Sequence, residues 1–121
     1  MKCVLDSCVA LKWVLPEQDS DKAIRLRDEY RQGIHELLAP DVFVAEIAHA
    51  LARAERRKLL QPNEGEQKLM EVHSTPPKLH SYLPLVANAF ALSTQFRIGF
   101  YDCLYLALAE QEYVKLLSSL P

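Results

Sequence analysis

Three acids stand out in this chain because each sits where a strand meets a helix: Asp6, Glu46 and Asp102. Asp6 ends a short apolar run (Cys3, Val4, Leu5), which reads as a buried parallel strand whose last residue emerges from the sheet. Glu46 falls in the first turns of the helix after a second strand, and Asp102 in the first turn of the last long helix. In a parallel sheet, strand ends and the starts of the following helices share one edge, so the three can converge although distant in sequence. Carboxylates gathered there repel and raise one another's proton affinity unless a cation intervenes. Oxygen ligands without His or Cys select Mg²⁺ or Mn²⁺. Such an ion polarises a phosphodiester and lowers the pKa of a bound water, so the chemistry this trio points to is phosphodiester hydrolysis.

Each acid also has a structural reading. Glu46 and Asp102 suit helix starts through the dipole, and an Asp after a strand is a common turn residue. Asp102 carries the argument, since it lies between Tyr101 and the wholly apolar CLYLALA, where burial without a partner would be costly.

The elements that must position these residues follow from periodicity. Ser7 to Leu15 predicts a short buried helix closed by Pro16. Gln18 to Gln32 predicts an amphipathic helix with Asp19 and Ser20 as cap candidates, ending at Gly33. Glu36 to Ala39 is a second strand, and Asp41 is placed to cap a helix from Val42 to about Lys58 with Val44, Ile47, Ala48 and Leu51 inward. Pro62 to His73 reads as a further helix and Lys78 to Leu83 as a third strand. A helix from Pro84 through Phe96 turns Leu85, Val86, Ala89, Phe90 and Leu92 inward, and a central helix runs from Tyr101 to about Glu112. Tyr113 to Leu117 favours a fourth strand slightly over a fraying helix. This order predicts a parallel sheet with right-handed crossovers and helices on both faces.

The chain has 121 residues, room for one domain over 1–121, and half of it is hydrophobic, which supports a packed core. A formal charge of −2 gives no overall basic signature, though a metal ion can supply positive charge locally. Three cysteines (Cys3, Cys8, Cys103) form no C-x-x-C pair and read as small core residues in a reducing cytosol. No apolar run reaches the roughly 20 residues of a membrane span, and the start lacks signal-peptide features, so no membrane role and a cytoplasmic location are expected. Arg53, Arg56, Arg57 and Lys58 form the main basic cluster, read either as a guide for RNA or as cations at a helix C-terminus. Trp13 reads as core or dimer contact, and His49 as a satisfied helix histidine in preference to a proton shuttle.

The segments VLDSCVALKW, PDVFVAEIAHAL and IGFYDCLYLALAEQE, in this order along nearly the whole chain, resemble the PIN-domain family, and within it the VapC-like ribonuclease toxins of toxin-antitoxin pairs. The resemblance implies a three-layer α/β/α domain with a short parallel sheet. It implies Mg²⁺- or Mn²⁺-dependent endonucleolytic cleavage of RNA, with Asp6, Glu46 and Asp102 as metal ligands, and it implies homodimerisation and a cognate antitoxin as partner.

The sequence departs from the family pattern at three places. Cys8 stands where a hydroxyl residue is usual, and His49 where asparagine often follows the second acid. After the last helix, a strand ending in a Thr-x-Asp-like motif and a further strand and helix are expected, whereas the chain ends Ser118, Ser119, Leu120, Pro121 without a fourth acid. A truncated sheet edge, association through it and weakened metal binding follow as expectations. The alternative reading is a catalytically impaired remnant that only binds an antitoxin or itself; a nuclease acting on DNA ends ranks below both.

Overall fold

The computed structural model describes residues 1–117. Its strands are β1 (Lys2–Leu5), β2 (Glu36–Pro40), β3 (Lys78–His80) and β4 (Lys115–Leu117). The helices are α1 (Ser7–Leu11), α2 (Ser20–Arg31), α3 (Val42–Arg56), α4 (Glu64–His73), α5 (Val86–Phe96) and α6 (Phe100–Glu112), with a 3-10 turn at Leu83–Leu85. All pairings are parallel, in the order β3-β2-β1-β4, with Val4 facing Leu38 on one side and Leu116 on the other.

Going from β1 to β2 to β3 moves the chain one way across the sheet, and going from β3 to β4 returns it past β1. Right-handed crossovers then place α1 to α4 on one face and α5 and α6 on the other. The contacts agree, with α3 packed on α1 and α4, and α5 packed on α6. β1 is central and apolar on both sides, so Cys3, Val4 and Leu5 are fully buried. α6 meets β1, β2 and β4 and buries Cys103, Leu104, Tyr105, Ala107, Leu108 and Ala109, which accounts for its lack of a polar stripe.

Several expectations are corrected. The inward face of α3 is Phe43, Ile47 and Leu51, while Val44 is exposed, because the helix settles one residue round from the alternative apolar period. Phe90 points outward from α5 at 62% exposure, while Ala89 on the same helix and Leu85 just before it are the buried residues. Asp41 stands at the start of α3 without capping it; its Oδ1 accepts instead from the Tyr82 N–H at 3.0 Å and ties the loop after β3 to this helix. α1 is one regular turn followed by i to i+3 bonds through Val14, so the helix predicted to Leu15 tightens early. Ser118 and Ser119, which the family pattern brings into question, lie outside the described residues.

Candidate metal centre

β1 delivers Asp6 to the carboxyl end of the sheet. Its Oδ1 accepts from the Cys8 N–H at 2.9 Å, capping α1, and from Ser7 Oγ at 3.4 Å, while neither bond uses Oδ2. Asp6 is 8% exposed, among very few polar residues buried this deeply among the described residues. The backbone N–H of Asp6 donates to Leu117 O at 3.2 Å, so the end of β4 lies directly beside it.

Glu46 sits one turn into α3, half-buried, and its Oε1 accepts from Tyr105 Oη at 2.6 Å. Burial pushes the Glu46 carboxyl up, the Tyr105 hydroxyl opposes this, and the charges of Asp6 and Asp102 push it up further. Asp102 occupies the first turn of α6, with Oδ2 at 3.6 Å from where a Cβ on Gly99 would stand. Asp102 is exposed, which corrects the argument that singled it out: burial of α6 begins one residue later, at Cys103.

The charges of Asp6 and Asp102 both act on Glu46, so the three sequence-predicted acids lie within electrostatic reach of one another. Among the described residues, no three Asp, Glu, His or Cys side chains stand close enough to one point to enclose an ion. The fit is chemical: carboxylates alone, in one another's field, are the donor set for a hard divalent cation.

A cleft of about 690 Å³ is lined by Glu46, with Ser7, Cys8 and His49 as further polar lining and Val42, Tyr82, Tyr101 and Leu104 among its apolar walls. Cys8 is exposed here, a correction to its reading as core, since the helix start turns it away from Cys3 and Cys103. Partial enclosure first, and then the charge of Asp6, push its thiol up to about 11. Trp13 is core, at 4% exposure.

Sequence reasoning missed Tyr105. It is 1% exposed, and burial followed by its bond to Glu46 raises its own pKa. The signal was present: a tyrosine within the apolar run CLYLALA, one turn after Asp102, needs a partner for its hydroxyl once buried.

A family model for the PIN domain matches residues 3–120. The chain is 34% identical over 120 residues to Ribonuclease VapC3 of Pyrobaculum aerophilum, covering 98% of this chain and 88% of that protein. In fold it resembles VapBC2 from Rickettsia felis, solved bound to a DNA fragment from their promoter, with a TM-score of 0.65 over 96% of this chain and 86% of that one, at 14% identity.

Proposed function

From the premise that this chain belongs to the PIN-domain family, we propose that it is a VapC-like endoribonuclease dependent on Mg²⁺ or Mn²⁺. Asp6, Glu46 and Asp102 would hold the ion and make up the catalytic set. The observation that supports this most is electrostatic: the charges acting on Glu46 are those of Asp6 and Asp102, an arrangement that a divalent cation relieves. When bound, the ion supplies charge neutralisation at the phosphate and an activated water.

The chain's own residues divide the remaining work. Tyr105 holds Glu46 in one orientation, as outer partners of metal ligands do. Ser7 and the Cys8 N–H hold Asp6 by one oxygen, and the apolar walls of the cleft restrict water around the reacting phosphate.

Likeness to Ribonuclease VapC3 supports RNA as the substrate, and likeness of fold to VapBC2 supports a protein antitoxin as partner. Self-association is part of the same reading: α5 has no charged residue, and its Phe90 and Phe96 are exposed. No helix among the described residues is long and apolar enough to cross a membrane.

A second reading, a remnant that binds without cutting, rests on β4: Lys115, Leu116 and Leu117 bring no carboxylate beside Asp6. The deciding experiment is cleavage of a structured RNA in Mg²⁺, in Mn²⁺ and in EDTA, with Asp102→Asn prepared identically. Metal-dependent cleavage that the variant loses is the expected result. Equal activity or equal inactivity of the two proteins would remove the catalytic assignment.

A further inference from the structure

α3 carries two kinds of chemistry on one face. Glu46, His49, Arg53 and Arg56 recur at helical spacing, and Arg57 follows at the helix end, so they form one stripe along the axis. His49, Arg53, Arg56, Arg57 and Lys58 are all exposed, while the opposite stripe of Phe43, Ile47 and Leu51 is buried. At 1.5 Å per residue, Arg53 stands about 10 Å and Arg57 about 16 Å beyond Glu46. The basic end of the stripe thus begins two turns from the candidate metal centre and leads away from it.

Among the described residues, no ion pair takes up the cations of this stripe. Glu55, the acid within the cluster, is turned to the seam with α4, where its Oε1 accepts from the Gly65 N–H at 3.1 Å. The ion pairs among the described residues engage other cations: Lys2, Lys22, Arg25, Arg27 and His35. Lys58 follows just past the C-cap Arg57 and holds φ 61°, where glycine would be the unstrained choice. In a chain with 16 acids against 14 Lys and Arg, this is a local positive field on a mildly negative background.

We propose that this stripe is the track along which a single RNA strand runs from the point of cleavage, its successive phosphates lying against Arg53, Arg56 and Arg57. The proposal rests on the ribonuclease reading and specifies where the substrate lies. A carboxylate site repels a polyanion until its ion is bound, so a cationic run on the same helix face supplies the attraction that the site itself lacks.

The test is binding of a fluorescent single-stranded RNA to the full chain in EDTA, by anisotropy, across a series of salt concentrations. The comparison is between the wild type, the triple variant Arg53→Gln/Arg56→Gln/Arg57→Gln, and a second triple variant, Arg25→Gln/Lys78→Gln/Lys115→Gln, with the same net charge change on exposed positions elsewhere. On single strands each lost phosphate contact reduces the slope of log K against log salt by about 0.7, so the α3 variant is expected to lose about 2 from its slope and the other variant little. The charge-keeping Arg53→Lys/Arg56→Lys/Arg57→Lys variant is expected to restore the slope, which separates loss of charge from loss of fold.

Equal losses in the two glutamine variants would overturn the track. So would an unchanged RNA slope together with weakened binding of a poly-glutamate peptide, which would assign the stripe to an acidic protein partner. A wild type that binds no RNA in EDTA would overturn the track alone, since the ribonuclease reading is decided separately by cleavage in Mg²⁺ or Mn²⁺.

Discussion

Tyr105 Oη donates to Glu46 Oε1 at 2.6 Å, joining residues 59 positions apart across the junction of α6 and α3. The bond links the helix that carries Asp102 to the helix that carries Glu46, so one buried hydroxyl ties together the elements that carry two of the three acids.

Replacing Tyr105 by Phe leaves a half-buried carboxylate without its donor. The expected cost is about 1–3 kcal/mol, the range for a hydrogen bond to a charged group or for leaving such a group unsatisfied, read as a lower urea midpoint with an unchanged m-value. Mn²⁺ binding, followed by electron paramagnetic resonance, is expected to weaken by about 10–100-fold in the same variant. Unaltered Mn²⁺ affinity in a folded variant would show that Tyr105 does not orient Glu46 for the ion.

The Glu46 carboxyl gives a pH dependence of known sign. Its pKa is raised in the folded protein, chiefly by burial. Its contribution to stability is therefore fully present below the unfolded value and is lost as pH rises through the folded one. Without metal, Glu46→Gln is expected to melt higher than wild type at pH 7, and the advantage is expected to shrink towards pH 4. An advantage constant across that range would mean that Glu46 has an ordinary pKa.

Cys8 reports the field of the acids without any catalytic assay. With its thiol at about 11, alkylation by iodoacetamide at pH 8 is expected to slow with the thiolate fraction, which is about 200-fold below that of an unperturbed cysteine with a pKa of about 8.5. Asp6→Asn removes the largest charge acting on Cys8 and is expected to speed the reaction. Mass spectrometry of the Cys8 peptide reads both rates.

Asp41 tests the correction at the start of α3. Because its carboxylate holds the Tyr82 N–H, Asp41→Ala is expected to cost about 0.5–1.5 kcal/mol. The accompanying signature is faster hydrogen exchange at Tyr82 and its neighbours, with little change in the first turn of α3. Exchange rising in that turn instead would restore the capping role.

Local pattern was enough for much of this molecule. The apolar run of β1, the break after α2 at Gly33, and the hydrophobic helix α6 are short-range signals, and a buried parallel strand ending in an acid marks the carboxyl edge of the sheet. The same logic picked out Asp6, Glu46 and Asp102, since strand ends and helix starts meet at that edge whatever the loop lengths between them.

What sequence could not decide were choices set by neighbours. Whether Val44 or Phe43 faces inward, and whether Phe90 is covered, depends on which side of a helix another element occupies, and periodicity alone leaves two adjacent rotations nearly equivalent. Cys8 and Cys103 have the same chemistry, yet one lines a cleft and the other is wholly buried, because one residue's rotation at a helix start changes which way a side chain points. The sequence by itself determined which groups could do chemistry and at which edge of the sheet. Only the tertiary structure decided which of them are held, by bringing a tyrosine from α6 onto a glutamate of α3 through a contact that no local pattern encodes.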